Sequence, residues 1–153
     1  MGLFDAIDIS ASGLSAERLR MDVTAENLAN AQTTRGPNGG PYQRKEVVLQ
    51  TAQRDGFRTQ LTSAMDGTAP SMGAAQTPGG VQAAQIVTDP TPPRQVYDPG
   101  HPDADAQGYV SYPNIDLAME YVNALEASRA YEANVSMMEV SKAMINASLR
   151  LIG

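Results

Sequence analysis

Every proline in this chain is confined to the middle. All ten lie between Pro37 and Pro113, and ten of the thirteen glycines lie between Gly36 and Gly108. Because proline inside a helix costs about 3 kcal/mol, this segregation predicts two terminal helices around an irregular, turn-rich centre. The expected divisions are an N-terminal coiled-coil helix over 1–36, a β/loop middle over 37–113 with a flexible stretch at 51–80, and a C-terminal coiled-coil helix over 114–153. The fold class is mainly α with a small β element.

Spacing within the ends supports the helices. Ile7, Leu14, Met21 and Leu28 recur every seven residues, with Phe4, Ala11, Arg18 and Ala25 at the alternate position. Leu117, Tyr121, Ala124, Ser128, Tyr131, Val135, Met138, Lys142, Ile145, Leu149 and Ile152 follow at alternating steps of four and three. Such steps place a narrow apolar stripe on one side of a helix, the pattern of a seam that packs on another helix. Gly36 followed by Pro37 marks the expected end of the first helix, and Asn114 or Asp116 the cap of the second. Helices over about 3–31 and 115–152 measure roughly 43 and 57 Å at 1.5 Å per residue. The seam serves either a hairpin core within one chain or an interface completed by neighbouring subunits; spacing leaves both open.

In the middle, Gln43–Gln50, Val81–Thr88 and Arg94–Tyr97 read as short strands separated by Pro, Gly and Asp turns. Thr51–Gly80 is polar and rich in small residues, which predicts a loop.

Aromatic residues make up only 5% of the chain, with no Trp, so burial through long seams is favoured over one globular centre. A net charge of −6, and no Lys or Arg from Thr59 to Pro93, argue against nucleic acid or an anionic membrane as partner. The chain has no cysteine, which removes disulfides and thiolate chemistry. Its first residues lack the charged and apolar regions of a cleavable secretory signal, and no stretch reaches the ~20 apolar residues of a membrane span.

Catalytic constellations are not legible. His101 stands among Asp98, Asp103 and Asp105, and Asp103, Asp105, Gln107 and Gly108 match the first half of a calcium loop. The twelfth position, however, is Asn114 in place of a bidentate Glu, so a solvated turn is the better reading. Glu120, Glu126, Glu132 and Glu139 read as a solvated flank beside the seam. No nucleotide-binding or nucleophile motif occurs, and no cofactor or metal is expected. Tyr121, Tyr131, Met21, Met137, Met138 and Met144 are assigned to packing.

Two segments at opposite ends then carry a resemblance. Ser12–Arg18 (SGLSAER) with Asn27–Thr33 (NLANAQT), and Glu126–Asn134 (EASRAYEAN), are similar to the two terminal signatures of the bacterial flagellar rod and hook proteins. Val96–Pro102 (VYDPGHP), Asp105 and Gly108–Asp116 (GYVSYPNID) resemble the proximal rod branch of that family. The motif residues singled out are Asn27, Asn30, Thr33, Ser128, Arg129, Tyr131 and Asn134. Thr51–Gly80 reads as longer than the family's usual middle. The resemblance implies a non-enzymatic subunit of the helical rod that carries motor torque through the periplasm to the hook. It also implies export through the flagellar type III apparatus without a cleaved signal. The partners implied are other rod proteins, further copies of the chain and, transiently, the rod cap.

Overall fold

The computed structural model describes residues 3–36, 39–54 and 77–152. Helix α1 spans Leu3–Ala29, strands β1 and β2 span Lys45–Arg54 and Thr77–Thr88, β3 and β4 span Arg94–Tyr97 and Tyr109–Tyr112, and α2 spans Leu117–Ile152. Two long terminal helices thus enclose short antiparallel strands. Of the expected flexible stretch, residues 55–76 lie outside the described residues, while its two ends belong to β1 and β2.

The start of α2 and the end of α1 each have a local cause. Asp116 Oδ1 accepts the N–H groups of Ala118 at 2.9 Å and Met119 at 3.4 Å, which makes Asp116 the N-cap of α2. Helix α1 stops at Ala29, short of the expected Gly36. The Asn30 amide bonds the Glu26 carbonyl, and Thr33 donates to both the backbone and the side chain of Asn30, so polar side chains close the last turn. Gly36 is not left-handed. It donates to the Gly40 carbonyl and accepts from Gly39, forming a turn in the connection that follows.

Strands β1 and β2 pair antiparallel from Lys45–Thr88 to Arg54–Thr77, with register shifts at Val48/Leu49 and Thr51/Gln53. Strands β3 and β4 form a second ribbon, from Arg94–Tyr112 to Tyr97–Tyr109. The sequence reading ended the first strand at Gln50 in place of Arg54, began the second at Val81 in place of Thr77, and omitted β4, whose YVSY alternation is brief. A two-stranded ribbon is marginal alone. The β1–β2 ribbon gains its support from α1, which packs against both strands and also against α2.

The apolar core is small. Among the described residues, the buried apolar side chains are Ala16, Val23, Val110 and Ala127, while Ser10, Thr24, Asn27, Glu120 and Ser141 are buried polar ones. Five of these lie on α1, which packs against both α2 and the β1–β2 ribbon, and three on α2, and the contacts of Asn27 with Glu120 and of Gly13 with Asn134 show the two helices meeting through small and polar groups. Small residues let two backbones approach closely, at the cost of little buried area.

Candidate assembly surface and the junction behind it

The junction begins with Asn27, 1% exposed near the end of α1. Its side chain binds the first residue of β1 as a neighbouring strand would: Nδ2 donates to the Lys45 carbonyl at 2.8 Å, and Oδ1 accepts the Lys45 N–H at 2.9 Å. Oδ1 also accepts from the Tyr42 hydroxyl at 2.9 Å, and Nδ2 donates to Glu120 Oε2 at 3.1 Å. All four bonding positions of a buried amide are therefore used, which removes the penalty of burying it.

Glu120, in the first turn of α2, is 2% exposed, contrary to its expected place on a solvated flank. Its carboxylate accepts from Asn27 and from Arg44 Nε at 2.8 Å. Burial opposes the charge of Arg44, but the hydrogen bond and charge of Glu120, with Glu46 and Asp89, outweigh it and raise the guanidinium pKa. The Tyr42 hydroxyl is pushed up to about 12 by burial and by the charges of Glu26 and Glu120. Lys45 pairs with Glu26 and stands 5.7 Å above the Tyr42 ring. An open groove of about 610 Å³ borders this cluster, and the charged groups on its wall are already paired with one another.

Farther along α1 are two closer contacts. A Cβ on Gly13 would lie 2.8 Å from Asn134 Nδ2, so the absent side chain makes the notch that Asn134 occupies. Gly80 on β2 has φ of +115°, and a Cβ there would lie 2.2 Å from Ser12 Oγ. That hydroxyl accepts the Val81 N–H at 3.0 Å and donates to the Ile9 carbonyl at 2.7 Å. Ser12 and Asn27 thus tie the β1–β2 ribbon to α1 at two places.

The seam residues are distributed unevenly around this contact. Ile7, Leu14, Met21, Leu28, Ala124, Tyr131, Val135, Met138 and Ile145 are half-buried. Leu117, Tyr121 and Leu149 are exposed at 44%, 58% and 62%. Phe4 and Ile152 lie outside the residues whose side chains are described. On α1 the buried side is centred roughly a third of a turn from the heptad stripe. On α2 the buried positions and the heptad stripe both recur every seven residues, so their offset, roughly a quarter of a turn, is the same along the helix. A second apolar stripe on α2, with Met119, Val122, Met137, Val140 and Met144 at 57%, 47%, 57%, 54% and 53% exposure, faces no other part of the described chain as a buried surface.

Among the motif residues, Asn27, Asn30, Thr33 and Asn134 make the contacts given above, while Ser128 and Tyr131 are half-buried and Arg129 is exposed. Gly13 and Asn134 bring the two terminal signatures together. Sequence reasoning missed Tyr42, Arg44, Gly80 and Glu120 as parts of the site. A signal did exist: Glu120, Ala127, Asn134 and Ser141 recur every seven residues, hidden from a search for apolar positions.

The turn around His101 has a different use. Asp98 Oδ1 accepts the Gly100 N–H, Asp105 Oδ1 accepts those of Gln107 and Tyr109, and Asp103 accepts from Thr34 and pairs with Arg35 at 3.3 Å. Those carboxylates hold the β3–β4 connection and fasten it to the segment after α1. Among the described residues no group of His, Cys, Asp and Glu is arranged to hold a metal ion, and no helix is long and apolar enough to cross a membrane.

Comparison with known proteins fits both ends. A family described as "Flagella basal body rod protein" matches residues 7–37, and one described as "Flagellar basal body rod FlgEFG protein C-terminal" matches residues 106–151. The flagellar basal-body rod protein FlgC of Yersinia enterocolitica is 42% identical over 151 residues, covering 99% of this chain and 98% of the relative. The chain belongs to the FlgC family of flagellar basal-body rod proteins. FlgC of Bacillus subtilis is 41% identical over 155 residues, covering 99% of both chains, and FlgC of Escherichia coli O157:H7 is 39% identical over 151 residues.

Proposed function

We propose that this chain is a structural subunit of the proximal flagellar rod, the shaft that transmits motor torque to the hook and so supports swimming. The observation that carries this reading is the placement of apolar surface. Nine large apolar side chains of α2 are exposed, against four buried apolar residues among all the described ones. Exposed apolar stripes of this extent are characteristic of surfaces that other subunits cover.

In the assembled rod the terminal helices stay paired in a coiled-coil-like arrangement through their small-residue faces, and the half-buried Ile7, Leu14, Met21, Leu28, Ala124, Tyr131, Val135, Met138 and Ile145 flank that contact as seam positions shared with adjacent subunits. Neighbouring subunits complete the seam at Phe4, Leu117, Tyr121, Leu149 and Ile152. Residues 37–113 form the outward-facing part. The partners are other rod proteins and further copies of this chain, with the export apparatus and the rod cap engaged during assembly. The chain leaves the cytoplasm without a cleaved signal, inserts into no membrane, binds no nucleic acid and uses no cofactor. Its role is mechanical and not catalytic.

Substitution and crosslinking test this together. Val140→Asp, on the exposed stripe, is expected to leave the melting temperature of the purified chain within a few degrees of the parent, because surface substitutions change stability by about 0.5 kcal/mol or less. The same substitution is expected to abolish swimming. A photo-crosslinker at Met137 is expected to capture another rod subunit in isolated basal bodies. Normal swimming by Val140→Asp, together with no capture from Met137, would refute the interface.

A further inference from the structure

The helix pair meets through small side chains, which specify a register only weakly. A seam with a seven-residue repeat offers much the same surface again after a shift of seven, unless some contact breaks the equivalence. Two contacts here do so. Asn27 bonds Glu120, and Gly13 receives Asn134. The members of each pair add to the same total, 147, as antiparallel helices in a single register require. The ion pair of Arg20 with Glu126 agrees to within one residue.

We infer that the Asn27–Glu120 bond and the Gly13–Asn134 notch are positioning residues that set the register of the two terminal helices. The contacts stand fourteen residues apart on each helix, about 21 Å. A shift of one heptad toward a total of 154 sets Asn27 against Ala127, which offers its amide no partner, and carries Glu120 past the end of α1 and away from Arg44. A buried amide and a buried carboxylate then lose their partners together, and each such loss is costly. The opposite shift carries Asn27 beyond the first residue of α2 and takes Asn134 off its glycine.

Register decides which surface the chain offers to others. At a total of 147, Leu3 stands opposite residue 144, so the last turns of α2 extend beyond α1, and Asn146–Arg150 are all exposed. A one-heptad slip would nearly remove this extension or double it. It would also shift the exposed stripe of α2 by about 10 Å relative to the β1–β2 ribbon.

The full-length purified chain has no native cysteine, so disulfide trapping reads the register directly. Val23→Cys with Ala124→Cys reports the native register. Val23→Cys with Tyr131→Cys or Leu117→Cys reports the two slips, since seven residues separate partners by about 10 Å, beyond the ~7 Å Cα limit of a disulfide. In the parent, the native pair is expected to oxidise and the slipped pairs to stay reduced. In Asn27→Leu/Glu120→Leu, an apolar exchange that keeps a filled junction, the slipped yield is expected to rise about tenfold over background. Should that variant fail to fold by circular dichroism, Gly13→Ala/Asn134→Ala leaves the junction intact and is read with the same pairs. Slipped yields at background in the folded variant, with the native pair undiminished, would overturn the assignment.

Discussion

Asn27 shows how much one amide can organise. It joins α1 to α2 through Glu120, to β1 through both backbone groups of Lys45, and to the connecting segment through Tyr42. Asn27→Asp replaces two donated hydrogen bonds with a carboxylate beside Glu120, and at neutral pH is expected to cost about 3–5 kcal/mol, the usual range for an unpaired buried charge. Urea titration monitored by circular dichroism measures this; a midpoint within error of the parent would contradict the role given to the junction. Tyr42 supplies a pH dependence with a definite sign. Its folded pKa is raised from 10.0 to about 12, so its contribution is fully present below pH 10 and declines as pH rises through 12, where the folded state resists losing the proton. Melting temperature is therefore expected to fall across that window, with a shallower fall in Tyr42→Phe. Parallel pH profiles for the two proteins would count against it.

At the level of elements, the sequence foretold the helices well and their contact face poorly. The exclusion of proline from both ends, together with steps of three and four, located both helices to within a few residues at most ends, since those signals act locally. The facing surfaces follow a different logic. They are lined by Ser10, Gly13, Ala16 and Thr24 against Ala127, Asn134 and Ser141, residues chosen for smallness, and smallness leaves no hydrophobic period to detect. Glu120 misled for a related reason. A carboxylate in a run of glutamates reads as solvated, and only the fold brings Arg44 and Asn27 to it from 76 and 93 residues away. The end of α1 was misplaced because Gly36-Pro37 is a strong stop signal, whereas the closure by Asn30 and Thr33 is a quiet one. The family motifs marked Asn27, Asn30, Thr33 and Asn134 correctly as special, but their partners were not to be found from sequence.

At the scale of the molecule, the described residues form little apolar core and leave much apolar helix exposed, a balance that suits a part finished by its surroundings. The internal contacts are nonetheless not uniform. The Asn27–Glu120 junction is buried and fully bonded, while Asn146–Arg150 at the far end of α2 are exposed throughout. Hydrogen exchange on the purified chain is thus expected to protect amides near Val23–Leu28 and Val122–Ala127 most, and those of the last two turns of α2 least. Uniform protection of α2 to its end would contradict this gradient and the view that assembly completes the seam.

The two ties between α1 and the β1–β2 ribbon also have a mechanical meaning. Ser12 and Asn27 are fifteen residues apart, about 22 Å along the helix. A ribbon hinged at one point would swing freely about it; one clamped at two becomes a bracket. A sideways load on its strands is then met by opposed forces at the two clamps, each smaller in proportion as the clamps lie farther apart. The long arm between Ser12 and Asn27 lets two modest hydrogen-bonded contacts resist bending that neither could withstand alone.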